Sequence, residues 1–232
     1  MTLPFILVVC LAGVFCLIPL TFYLLWLAQV TRRDRPTAVS GPWDFAALTV
    51  GLSGFILYGG GVTLALLQSN FRFFMRGKFE ALRNVWIQEQ VTWSLLAFLY
   101  LVTVLGGIAL ALLARRRSLV VYNVESDAFE VLLGEVFEHL GITVERRGNL
   151  WAGAGALCEV EPLEVGRTVT LRWLSPDDRL FEDVTRQLRA ALAAAHTPEN
   201  AVTRWLMAVA VGLGAVVVCC FGLLVFWLTQ IR

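Results

Sequence analysis

The sequence predicts an all-α membrane protein of four transmembrane helices, with a small α+β soluble domain inserted between the third and fourth helices. Hydrophobic residues make up 58% of the 232-residue chain, above the roughly 45–50% typical of soluble proteins. About 20 apolar residues are enough for a helix to cross a bilayer. Four stretches of at least 25 residues contain no charged residue and no histidine, namely 1–31, 45–71, 90–114 and 205–231.

The transmembrane helices are predicted over 3–30, 43–67, 91–114 and within 201–232, so that the first three belong to a membrane domain of residues 1–117. Pro19 should kink the first helix, because proline lacks the amide that would bond one turn back. Tryptophan prefers the head-group layer of a bilayer, which makes it a marker of helix ends. Six of the eight tryptophans lie near predicted helix ends: Trp26, Trp43, Trp86, Trp93, Trp205 and Trp227.

The segment 69–90, between the second and third helices, has two interpretations. Phe71, Phe79 and Trp86 recur at near-helical spacing, while Arg72 and Arg83 occupy other positions. This pattern is typical of an amphipathic helix that lies in the membrane interface. The alternative is that the segment extends the two flanking helices beyond the bilayer, and the sequence leaves both readings open.

The region 118–200 is predicted to fold as a soluble domain in the order β-α-β-β-β-α, with a mostly antiparallel sheet. Its first helix has apolar residues on one side and glutamates off it, and ends at Gly141. Ser175 and Pro176 predict the start of the second helix, as capping residue and first helical residue. The predicted strands and first helix are strand 119–124, helix 126–140, and strands 142–146, 156–161 and 167–174.

The charge distribution predicts the orientation of the chain in the cell membrane. With the N-terminus outside, seven arginines fall on the cytoplasmic side and five basic residues fall outside, as the positive-inside rule favours. The soluble domain is then cytoplasmic. This domain holds fourteen acids and seven arginines, a net charge of −7, which argues against nucleic acid as a partner. The basic residues beside the apolar stretches would meet lipid head groups.

The apolar stretches contain no group that could carry a proton or bind an ion, since they lack Asp, Glu, Lys, Arg and His. Ion-coupled transport and intramembrane proteolysis need such groups at membrane depth. No cofactor or metal motif is found elsewhere. His139 and Glu135 supply two ligands where a metal site needs three or four, and the five cysteines form no C-x-x-C pair.

The glycines of the second helix, in particular Gly59, Gly60 and Gly61, are candidate interaction or packing residues. Small residues allow close approach of neighbouring helices in lipid. The alternative is a helix that unwinds at these glycines and lines a substrate path.

Trp151 is the candidate interaction residue of the soluble domain. It lies in the glycine-rich sequence 148–155, which lacks the lysine and following helix of a phosphate-binding loop. Trp151 would contact a partner or the membrane surface from there, or would simply occupy the tip of a hairpin.

We therefore expect a non-enzymatic interaction or sensing subunit that acts through its acidic soluble domain, with a protein partner or a second copy of itself. The alternative is a transport or channel component that uses the glycine-rich second helix. An enzyme would require a soluble pocket that holds at least two of four residues: His139, Cys158, Glu159 and Glu161.

Overall fold

The computed structural model describes residues 3–67, 90–153, 155–163, 166–198 and 200–230. The predicted interfacial segment 69–90 therefore lies outside the described residues, apart from its last residue. The described chain divides into two compact units. The first contains residues 1–24, 48–110 and 209–232, and the second contains residues 25–47 and 111–208.

The described residues form six helices and six strands. The helices are α1 (Leu3–Thr31), α2 (Gly41–Leu67), α3 (Gln90–Ala114), α4 (Ser126–His139), α5 (Asp178–Ala194) and α6 (Ala201–Gln230). The strands are β1 (Thr37–Ser40), β2 (Ser118–Tyr122), β3 (Glu145–Arg147), β4 (Leu150–Ala152), β5 (Ala156–Leu163) and β6 (Thr168–Trp173).

Four of these helices, α1, α2, α3 and α6, are long and apolar enough to cross a membrane, which confirms the predicted set of four. Their apolar spans cover Leu7–Thr31, Gly41–Val62, Gln90–Ala114 and Ala201–Trp227. These spans agree with the charge-free stretches because an uninterrupted apolar run of this length has few other stable folded states. The helices identify a membrane protein by length and composition.

The strands form one antiparallel sheet in the order β1-β2-β6-β5-β4-β3. The sheet contains two strands that the sequence analysis did not predict. β4 has only three residues, and β1 lies between α1 and α2, where a loop was expected. Strands this short give almost no alternation signal in a sequence, and β1 is defined only by its pairing with β2, about 80 residues further along the chain.

Two other predicted boundaries were wrong. The strand predicted over 142–146 begins instead at Glu145 and pairs with β4 across the turn at Gly148, where φ is +65°. The helix predicted to be capped by Ser175 begins two residues later. Asp177 is its N-cap, and its carboxylate accepts hydrogen bonds from the amides of Arg179 and Leu180.

One face of the sheet carries α4 and α5, which also contact each other. α4 contributes Phe129, Leu133 and Phe137 to this core, and α5 contributes Val184 and Leu188. Each helix presents its apolar residues at spacings of three or four, so that one side is buried and the charged side faces solvent. The strands supply the facing residues Leu119, Val121, Trp151, Cys158, Val160, Val169, Leu171 and Trp173.

The opposite face of β1 and β2 is covered by the C-terminal end of α1. Val30 packs there with Val120 and Tyr122, and the rings of Trp26 and Tyr122 meet edge to face with centroids 6.5 Å apart. Every residue of β2 is buried, because α1 covers one side and the α4–α5 core covers the other. The continuous apolar sequence of β2 is typical of a strand that is buried on both faces.

The second unit is therefore larger than the soluble domain predicted over 118–200. It includes β1 and the end of α1, which complete its sheet and cover β2. Gly41, which follows β1 directly, permits this arrangement. A Cβ atom at this position would lie 1.8 Å from Oγ of Ser118 and 3.0 Å from the carbonyl oxygen of Arg115.

Candidate functional site

A cleft of about 530 Å³ opens in the second unit between the segment that follows α1, the edge strand β1 and α5. Its charged residues are Arg32, Arg33, Asp34 and Arg35 from that segment, and Arg189 from α5. We call it the arginine cleft. The remaining lining residues are small or apolar, namely Pro36, Thr37, Ala38, Leu192 and Ala193.

The four arginines of this cleft are exposed, and none of them forms an ion pair within the described part of the chain. Other arginines of the same unit do find acidic partners. Nη2 of Arg117 lies 2.8 Å from Oδ1 of Asp178, and Nη2 of Arg167 lies 2.7 Å from Oε1 of Glu125. The cleft thus brings four arginines without an ion pair together on one concave surface.

The backbone beneath the arginine cleft is held by Asn123, which follows β2. Asn123 is fully buried and adopts a left-handed conformation with φ of +60°. Its amide donates to the carbonyl oxygen of Arg33 over 2.7 Å and to Oγ1 of Thr197 over 2.9 Å. The amide of Thr197 in turn donates to the carbonyl oxygen of Asp34 over 3.0 Å. These bonds fix the path of the arginine segment against the domain.

A second group of hydrogen bonds fixes the link between α5 and α6. Arg167, with φ of +46°, reaches both Glu125 and the carbonyl oxygen of Pro198. Asn200 donates to the carbonyl oxygen of Gly166 over 3.1 Å and caps α6 through the amide of Val202. The segment after α1 and the link between α5 and α6 are therefore both held to the domain by side-chain hydrogen bonds.

The ends of α1 and α6 also meet directly. Oγ1 of Thr203 lies 3.1 Å from Oγ1 of Thr31, and both threonines are buried. Thr31 closes its own hydrogen bonding with the carbonyl oxygens of Leu27 and Ala28. Thr203 is the donor in this pair, so the buried hydroxyl group at the start of α6 finds its acceptor at the end of α1.

Two other clefts lie in the same unit. One, of about 190 Å³, is lined in part by Glu125 and Arg167, whose ion pair satisfies both charges. The other, of about 610 Å³, follows the β3–β4 hairpin, where Glu145 and Arg147 pair with each other. Neither cleft holds an unpaired cluster of charge comparable with that of the arginine cleft.

The three glycines predicted to be interaction or packing residues differ in how closely other side chains approach them. α2 continues as a helix through Gly59, Gly60 and Gly61, so the alternative of a helix that unwinds there is wrong. A Cβ atom at Gly60 would lie 2.3 Å from the ring of Tyr100, whose hydroxyl donates to the carbonyl oxygen of Ile56 over 2.5 Å. At Gly59 and Gly61 an added Cβ would meet no atom within 4 Å.

Trp151, the predicted interaction residue of the soluble domain, lies in β4 and is only 7% exposed. Its ring packs on that of Phe137 with centroids 5.8 Å apart. The residue therefore belongs to the core of α4, α5 and the sheet, and it lies within a strand rather than at a hairpin tip.

Of the four residues that an enzyme was expected to require, two share one face of β5 and the other two lie elsewhere. Glu159 and Glu161 lie on the face of β5 opposite the helices, beside Arg172 and Thr170 of β6. Cys158 lies on the other face and is fully buried, and this burial raises the pKa of its thiol to about 12. His139, at the end of α4, donates from Nδ1 to the carbonyl oxygen of Glu135. None of these residues lines any of the three clefts.

The described residues contain no cluster of three or more His, Cys, Asp and Glu side chains that could hold a metal ion. The arginine cleft itself was not predicted as a site. Arg32, Arg33 and Arg35 were visible as a run of charge after an apolar stretch, whereas Arg189 joins them only through the packing of α5 near β1. Comparisons with protein-family models, with curated proteins and with solved structures each returned no match.

Proposed function

We propose that this protein is a multi-pass membrane protein that acts without catalysis, as an interaction or sensing subunit, through its acidic α+β domain. The four long apolar helices support the membrane part of this proposal. The observation that carries the rest is the shared core of the domain and the helix that enters it. Trp26, Leu27 and Val30 of α1 pack on Val120 and Tyr122 of the sheet.

This shared core gives the domain a way to communicate with the membrane. A partner that shifts β2 or β1 must also shift the end of α1, because packed cores deform in discrete steps rather than continuously. The hydrogen bond between Thr31 and Thr203 extends the same connection to α6. A soluble domain joined to the membrane by flexible linkers would lack this property.

The transport alternative has less support. Gly60 packs on Tyr100, and α2 is continuous, as expected for close helix packing. Ser53, one of the polar groups that a path would use, donates to the carbonyl oxygen of Val50 in its own helix.

The first test is purification of the full chain in a mild detergent, followed by light scattering and mass spectrometry. We expect a stoichiometric protein partner or a defined oligomer of this chain. A strictly monomeric particle without a partner, obtained both in detergent and in nanodiscs, would contradict the interaction role.

The second part of the proposal places the N-terminus outside the cell and the acidic domain in the cytoplasm. The substitution Glu138→Cys introduces an exposed thiol on α4. A membrane-impermeant maleimide should label this variant only after the cells are permeabilised. The native Cys158 is a suitable internal control, because its burial and its pKa of about 12 should keep it unlabelled at neutral pH until the domain is unfolded. Labelling of the variant in intact cells would contradict the proposed orientation and place the domain outside the cell.

A further inference from the structure

The arginine cleft brings together charges that are far apart in the sequence. Arg32, Arg33 and Arg35 follow α1 directly, and Arg189 comes from α5, more than 150 residues later. Like charges repel one another, so a protein gains nothing in stability from such a cluster unless an anion neutralises it. Within the described residues, Asp34 is the acidic side chain that lines the cleft.

The acidic composition of the domain means that the arginines of the cleft do not lack an ion pair for want of acidic residues. The region 118–200 contains twice as many acids as arginines, so partners for arginine are abundant. Arg186, one helical turn before Arg189, pairs with Asp183, yet Arg189 forms no ion pair in the part of the chain that is described. Arginine left unpaired beside a concave surface is the usual arrangement for binding planar or tetrahedral oxyanions.

The cleft is also preorganised. Asn123 and Thr197 hold the carbonyl oxygens of Arg33 and Asp34, so the segment that carries three of the arginines does not have to be ordered when a ligand binds. Avoiding that entropic cost increases affinity. Thr37 adds a hydroxyl group to the lining, which can donate a hydrogen bond to an oxyanion.

We propose that the arginine cleft is a binding site for an anionic phosphate group. Its location fits the phosphate of an anionic lipid, because Arg32 follows immediately after the apolar span that ends at Thr31. A small phosphate compound from the aqueous phase has the same binding chemistry and could reach the same arginines. The inference goes beyond the proposed function by naming a ligand class.

The test is calorimetric titration of the full chain in a neutral detergent, with two separate ligands. One arm uses inorganic phosphate. The other uses dihexanoyl phosphatidylglycerol below its critical micelle concentration, with dihexanoyl phosphatidylcholine as the zwitterionic control. Binding of phosphatidylglycerol alone identifies a lipid site, and binding of inorganic phosphate identifies a site for soluble phosphate compounds.

The variant Arg189→Gln and its matched control Arg179→Gln decide whether the binding belongs to the cleft. Both remove one exposed arginine from α5, but only Arg189 lines the cleft. We expect Arg189→Gln to weaken binding about tenfold, the effect of one lost charge-assisted hydrogen bond, and Arg179→Gln to change it by less than about twofold. Arg35→Gln should repeat the effect of Arg189→Gln from the other wall of the cleft.

The proposal is overturned if neither phosphate ligand binds, or if the two α5 variants weaken binding equally. Thermal unfolding of each variant without ligand shows whether the fold is retained, and Arg189→Gln should match Arg179→Gln. Binding should also fall in about 1 M salt, where the screening length is only about 3 Å. A chain that binds phosphate in this way but has no protein partner would uphold this inference and contradict the proposed interaction role.

Discussion

At the scale of single residues, one buried polar side chain ties the domain to the segment that follows α1. Asn123 is fully buried, and its side chain carries two of the hydrogen bonds that hold the domain to the segment after α1. Asparagine is suited to this position for two reasons. Its amide can donate twice, and it tolerates a left-handed backbone better than most residues.

The substitutions Asn123→Ala and Asn123→Gly separate these two contributions. Both remove the two hydrogen bonds, but only glycine adopts the left-handed conformation without steric cost. We expect Asn123→Ala to lower the free energy of unfolding by about 2–4 kcal/mol, and Asn123→Gly to lower it by about 1 kcal/mol less. Chemical denaturation of the full chain in detergent measures both. Equal losses would mean that the φ of +60° carries no strain.

At the scale of secondary-structure elements, the helices depend on close contacts that only particular glycines provide. Among the described glycines, Gly54 comes closest to the backbone of another helix. A Cβ atom at this position would lie 2.2 Å from the carbonyl oxygen of Phe15 and 2.6 Å from Cα of Cys16. Since backbone atoms cannot rotate away, α1 and α2 would have to separate locally. Gly61 of the same helix has open space where its Cβ would be.

The pair Gly54→Ala and Gly61→Ala tests this difference within one helix. Gly54→Ala should lower the free energy of unfolding by about 1–3 kcal/mol, as overpacking does. Gly61→Ala should have no effect or raise stability by up to about 1 kcal/mol, because alanine is the better helix former. Thermal unfolding in a single detergent is the measurement. A similar fall in melting temperature for both variants would show that helix packing does not depend on Gly54.

At the scale of the whole molecule, the sheet is completed by residues from outside the domain predicted over 118–200. β1 pairs with β2 along its whole length, and the end of α1 covers Val120 and Tyr122. In the full chain these two side chains are only 5% and 7% exposed. A fragment of residues 118–200 would leave both in water and would turn β2 into an unprotected edge strand.

We therefore expect the isolated fragment 118–200 to bind a hydrophobic dye and to associate with itself, as exposed apolar edge strands do. Dye fluorescence and size-exclusion chromatography at several concentrations give the readout. The same fragment with Val120→Thr should associate less, since the exposed strand is then more polar. A monomeric fragment that unfolds cooperatively and binds no dye would show that β1 and α1 are dispensable.

Part of the structure could be predicted because its signals are local. The four apolar helices follow from uninterrupted hydrophobic length, and α4 follows from the spacing of Phe129, Leu133 and Phe137. The predicted start of α5 was two residues too early, because Ser175 and Asp177 are both good capping residues. Nothing local distinguished them.

The sequence by itself determined which segments are long and apolar enough to span a membrane and which carry the charged residues. Hydrophobic length and charge are properties that each segment has on its own. Only the tertiary structure decided which strands complete the sheet, why Trp151 packs in the core, and how Arg189 joins the arginines that follow α1. These features depend on contacts between residues far apart in the chain. The free energy of such a contact is a property of the pair, so neither segment reveals it separately.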